Sequence, residues 1–111
     1  MNIDKLMEEL KFDEGCVDKI YSDHLGYPTF GIGHLILESD PEYGQEVDTS
    51  VSEDRIKECF EKDIDNVTAD LDRNLEWWLH LPEDIQRVLA NMCFNLGITR
   101  LLKFKKFLTA L

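Results

Sequence analysis

The stretch that decides the fold is Gly26-Tyr27-Pro28-Thr29-Phe30-Gly31-Ile32-Gly33-His34-Leu35. Dense glycine among aromatic and β-branched residues reads as short strands joined by tight turns. Upstream, Ile20 and Tyr21 extend the same character back to Val17, so a hairpin or small meander is expected over 17–37. Before it, Ile3, Leu6, Met7 and Leu10 follow the i, i+3, i+4, i+7 rule, which predicts a helix over about 3–13 that Gly15 stops. After it, residues 38–50 are polar and aperiodic, a surface loop. Ser50 or Ser52 then caps a helix whose first turn holds Glu53 and Asp54, favourable at the positive end of its dipole. Ile56, Phe60, Ile64, Val67, Leu71 and Leu75 give that helix a narrow apolar stripe.

Beyond it, Pro82 opens a helix carrying Ile85, Val88, Leu89, Met92, Cys93 and Leu96, and Gly97 ends it. Leu101, Leu102, Phe104, Phe107, Leu108 and Leu111 predict one last helix that meets the C-terminus without a stop signal, as if the chain ended short of a complete domain. Strands beside runs of helices make an α+β fold. The expected organisation is one domain over 1–111, with a sheet lobe at about 15–50, a long helix at about 53–76, and a helical lobe from 1–13 and 80–111. A cleft between such lobes is where a ligand usually binds.

With 111 residues, 43% apolar and 32% charged, the chain is long enough for a modest core. A chain this size buries roughly 65% of its unfolded surface. Net charge is −11, which argues against general nucleic-acid binding, because phosphates need cations. The balance is uneven: residues 1–84 carry 7 basic and 23 acidic side chains, whereas Arg87, Arg100, Lys103, Lys105 and Lys106 stand beyond them with no acid. No apolar run approaches the ~18 residues of a membrane span. The N-terminus is amphipathic and acidic, unlike a signal peptide. Three cysteines without a Cys-x-x-Cys pattern read as reduced, and Cys59 and Cys93 as small buried hydrophobes rather than a disulfide frame or zinc site. His24, His34 and His80 are too far apart in sequence for a compact metal motif. Gly31-Ile32-Gly33 lacks the third glycine of a dinucleotide fingerprint, so no cofactor is indicated.

Glu14 at a helix end and Asp23 at a strand end offer two carboxylates on separate rigid elements. Glycoside hydrolysis needs such a pair, one protonated for the leaving oxygen and one ionised to act on water or sugar. Partial burial would keep the acid protonated. Residue chemistry alone does not single them out among 23 acids, and solvated carboxylates at helix ends and turns are on that ground the better explanation.

Phe12-Asp13-Glu14-Gly15, Lys19-Ile20-Tyr21-Ser22-Asp23 and the Gly26–Leu35 string together resemble the phage lysozyme family, with the Glu-x8-Asp-x5-Thr spacing met by Glu14, Asp23 and Thr29. Ser52–Asp65 resembles the family's long inter-lobe helix, and Asn91–Gly97 its buried central helix. The resemblance implies a lysozyme-like fold and a muramidase that cleaves the β-1,4 bond between N-acetylmuramic acid and N-acetylglucosamine of bacterial peptidoglycan, with inversion. It makes Glu14 the general acid, Asp23 the group that activates or positions water, and Thr29 the residue that holds that water. Leu35 and Phe94 match positions lining the sugar cleft, and His34 matches a structural histidine whose partner is the acid at Asp63.

Two features part from the family: the chain stops before its last helices, and it is acidic where free lysozymes are often basic. They leave open a free endolysin, held in the host cytoplasm until release to the wall, and a tail-associated enzyme carried on the phage particle. They also leave open a catalytically weak wall-binding or structural module. The apolar last helix suggests self-association or a phage-particle partner.

Overall fold

The computed structural model describes residues 1–111. Helix α1 (Ile3–Glu14) leads into strands β1 (Val17–Ser22), β2 (Pro28–Gly31) and β3 (His34–Leu35). Helix α2 (Glu53–Asn74), a 3-10 turn at Trp78–His80, and helices α3 (Glu83–Leu96), α4 (Ile98–Leu101) and α5 (Lys105–Ala110) follow. The fold is α+β, as expected from the alternation of patterns. Contacts divide it into two compact units, Met7–Glu61 and Met1–Leu6 with Lys62–Leu111. No helix is long and apolar enough to cross a membrane.

The first unit is built on an antiparallel meander in the order β1-β2-β3. Gly15 ends α1: its N–H donates to Lys11 O at 2.9 Å and its φ of +80° lies where a side chain is strained. Tyr21 pairs with Thr29 and Ser22 with Pro28, and after a bulge the register resumes at Val17 and Gly31. Across the next ladder, Thr29 faces Leu35 and Phe30 faces His34. The segment after the loop lies along the other side of β1: Ile20 N–H donates to Thr49 O, and Val51 N–H to Asp18 O. Ile20, Phe30, Ile36, Val51, Ile56 and Cys59 form the core. At Gly31 the sheet comes close to Ile56 of α2. The glycine φ is +64°, and a Cβ there would come within 3.0 Å of Ile56 Cγ2.

The loop is less passive than its polarity suggests. It carries Glu42 into a buried position beside Arg55 on α2. Ser52 supplies the cap, its Oγ accepting the Arg55 N–H at 3.2 Å.

In the second unit, the buried residues are spaced along α2 (Ile64, Val67, Leu71) and α3 (Leu89, Ala90, Cys93). Trp78 is buried with them, and its Nε1–H reaches Asp72 Oδ1 at 2.8 Å. Gln86 donates through Nε2 to the carbonyls of Leu79 and Leu81, tying the 3-10 turn to α3. None of the three cysteines is in a disulfide, and burial, followed by the charge of Asp70, pushes the Cys93 thiol up to about 11.

The single helix expected over the last eleven residues is instead two short ones. Lys103 and Phe104 donate to carbonyls three residues back, Arg100 O and Leu101 O, which tightens the chain out of the α ladder. Phe104 then takes a non-helical ψ of 58° before α5 begins. Leu101 is 0% exposed and so is no part of a surface patch, whereas Phe104 is 47% exposed and α5 buries no residue.

Candidate active site

Four of the five residues singled out from the sequence, Glu14, Asp23, Thr29 and Leu35, belong to the first unit; Phe94 lies on α3 in the other, partly exposed. The glycine stop places Glu14 as the final residue of α1, with an exposed side chain. The expected partial burial of the acid is therefore not present in the free chain.

Asp23 follows β1 and organises the turn into β2. Its Oδ1 accepts the N–H groups of Leu25 at 2.9 Å and Tyr27 at 2.8 Å. Its own N–H donates to Tyr27 O, and its carbonyl accepts the Gly26 N–H. Aspartate suits this place because its short carboxylate reaches main-chain donors two residues ahead. One carboxylate oxygen is thus committed to the turn, and the group is fixed in direction.

Thr29 is 4% exposed, and its Oγ1–H donates to Tyr27 O at 3.0 Å. With its hydrogen used, the hydroxyl oxygen can act only as an acceptor toward a further group. The ladder sets Tyr21, Thr29 and Leu35 in one row across the three strands, on one face of the sheet. Leu35 is 44% exposed there.

Tyr21 received no role from the sequence, yet it reports the field of this region. Its phenol is pushed up first by burial, then by the negative charges of Asp23 and Glu14. Both carboxylates therefore act on the same hydroxyl. The available signal was that Tyr21 stands only two residues before Asp23, at the end of the predicted strand.

A second cluster sits at the far end of β2 and β3. His34 Nε2 lies 2.9 Å from Asp40 Oδ2, which also accepts the Leu37 N–H at 2.8 Å. The His34 ring is tilted against Phe30, centroids 5.0 Å apart. Arg55 forks onto Glu42 with two bonds of 2.9 Å, reaches Glu58 at 2.8 Å, and touches Asp40 Oδ1 at 3.3 Å. Burial works against an ionised Asp40, but Leu37, His34 and Arg55 outweigh it and hold its pKa below the usual carboxylate value. The Arg55 bonds lower Glu42 despite its burial, and Glu42 in turn raises Arg55. Sequence reading missed this network. The available signal was that Arg55 is the one cation between Lys19 and Lys57 in an acid-rich stretch.

The three histidines do not gather, but one of them meets donors of other types. One donor atom each from His34, Asp40 and Cys59 lies within 4.8 Å of the others.

The family described as phage lysozyme matches residues 11–110. The chain is 30% identical over 124 aligned positions to the "Pre-baseplate central spike protein Gp5" of Enterobacteria phage T4, covering 96% of this chain but 22% of that protein. It is 27% identical over 122 positions to "Probable T4-type lysozyme 1" of Dictyostelium discoideum, covering 93% of this chain and 72% of that one. "Probable T4-type lysozyme 2" of the same organism is 29% identical over 125 positions, covering 96% and 74%.

Proposed function

The chain belongs to the phage lysozyme family, and from that premise we propose that it is a peptidoglycan hydrolase, cleaving the β-1,4 bond between N-acetylmuramic acid and N-acetylglucosamine. The observation that carries the reading is the convergence on one sheet face of Tyr21, Thr29 and Leu35, with the charges of Glu14 and Asp23 both felt at the Tyr21 phenol.

In this reading Glu14 is the general acid and protonates the glycosidic oxygen as the bond breaks. Its exposed side chain becomes desolvated when sugar covers it, which favours the neutral, proton-bearing form. Asp23, held through Oδ1 by the turn, offers Oδ2 to a water. Thr29, its hydrogen bonded to Tyr27 O, accepts from the same water. Attack from the face opposite the leaving oxygen inverts the anomeric carbon, and Asp23 takes the water's proton. Inversion asks for carboxyl groups about 6.5–9.5 Å apart, leaving room for that water. Leu35, on the same face as Thr29, is the apolar side chain of this unit that we assign to sugar contact.

Similarity to a phage spike protein favours a particle-borne enzyme over one released on its own. The alternative, a wall-binding module without efficient catalysis, rests on the exposure of Glu14. Clearing of a peptidoglycan suspension decides between them. Turnover should fall about 10²–10⁴-fold in Glu14→Gln, the range for losing a general acid. Binding to the suspension without clearing, in parent and variant alike, would leave only the module. Proton NMR of the first product should show the α-anomer.

A further inference from the structure

We propose that His34, Asp40 and Cys59 form a binding site for one borderline-soft divalent cation of the zinc type. The three donors come from three separate segments of the first unit: the start of β3, the loop after it, and the second turn of α2. They are not a solvated acidic cluster, since His34 is 8% exposed and Cys59 2%. An imidazole nitrogen, a thiolate sulfur and a carboxylate oxygen are the donor types zinc takes, whereas magnesium and calcium ask for oxygen alone.

The size also fits. Metal–ligand bonds of ~2.0–2.3 Å put tetrahedral neighbours roughly 3.3–3.6 Å apart. The three donor atoms lie within 4.8 Å of one another, so the wider separations close by about an ångström. The His34–Asp40 pair, at 2.9 Å, opens by a few tenths of one. Water takes the fourth position.

The surrounding charge favours a cation despite the guanidinium beside it. Arg55 brings one positive charge against three carboxylates, Asp40, Glu42 and Glu58. Because Arg55 holds Asp40 Oδ1, it orients Oδ2 toward His34, the supporting role that outer partners play around metals. On binding, the Cys59 thiol proton leaves to solvent, and the ion crosslinks the loop to β3 and α2.

The test uses the full chain with Cys16→Ser to remove the exposed thiol. Chelator-treated protein is titrated with cobalt(II). A thiolate-to-cobalt charge-transfer band saturating at one equivalent, erased by zinc(II) and accompanied by a higher Tm, is the expected result. Cys93→Ala should leave the band intact, Cys59→Ala should remove it, and Asp40→Asn should weaken cobalt binding roughly tenfold or more. Absence of the band in excess cobalt, or its survival in Cys59→Ala, would overturn the site. Should Cys59→Ala fail to fold, zinc-edge X-ray absorption of the parent replaces it. One sulfur in the first shell supports the assignment, and a shell of nitrogen and oxygen alone refutes it.

Discussion

Gly31→Ala should be the most damaging single-methyl change in the sheet. Two separate costs add. The residue sits at φ +64°, a region that costs an L-residue about 1–2 kcal/mol. The new Cβ would also stand 3.0 Å from Ile56 Cγ2 and 3.4 Å from Cγ1, at or inside ordinary contact and against a buried branched side chain that would have to give by a few tenths of an ångström. Overpacking of that kind costs about 1–3 kcal/mol. Loss of glycine's freedom in the unfolded chain offsets about 0.4–1 kcal/mol. The expected net is about 1–4 kcal/mol, a large share of the ~5–15 kcal/mol typical of a domain. Denaturant unfolding of parent, Gly31→Ala, Ile56→Ala and the double variant measures both parts. The clash should appear as a favourable coupling between the two changes, because the alanine at 56 vacates the space. The backbone cost should survive in the double variant. A Gly31→Ala loss below about 0.5 kcal/mol, or independence of the two changes, would sink the close-approach argument.

Asp23→Asn keeps an oxygen for the Leu25 and Tyr27 N–H groups, so its stability should match the parent while wall clearing is lost; Asp23→Ala should lose activity and about 1–3 kcal/mol as well. Asp40 and Glu42 both have depressed folded pKa values, so their contribution is present above their unfolded pKa values and is lost as pH falls through the folded ones. Arg55→Gln should therefore flatten the acid limb of the stability–pH curve, and an unchanged limb by pH-dependent unfolding would contradict the network's role. Phe104 and Leu111 are exposed apolar side chains at the end of the second unit, and concentration-dependent association in sedimentation should disappear in Phe104→Lys with Leu111→Lys.

What sequence reading could reach was the part written in local patterns. The glycine-rich string announced a meander because its φ values leave little choice of residue, and Gly31 and Gly33 both stand at +64°. The stripe from Ile56 to Leu71 announced α2 because every member is buried on one face. The last eleven residues misled for the same reason. Their apolar content satisfied a helical pattern, but Phe104 leaves the ladder, and nothing in its neighbours' identity encodes that break. The candidate catalytic residues were legible through resemblance, while Tyr21 was overlooked as ordinary strand filling. Asp40, Glu42 and Arg55 were hidden because ion pairing joins residues 13 and 15 apart, and periodicity carries no information at such separations.

The hydrogen bonds between β1 and the 49–51 segment have a consequence for how copies of this chain meet. A sheet edge with unused N–H and C=O groups is a template on which another molecule can add a strand. Here the outer side of β1 already bonds to Thr49 and Val51 of its own chain, and β3 at the opposite edge is only two residues long. Neither border offers a run on which a foreign strand could register. Growth into fibrils by strand addition is thereby blocked at the folded stage, even at high local concentration. Any encounter between copies is left to the helices, whose contacts can saturate at a small, soluble assembly.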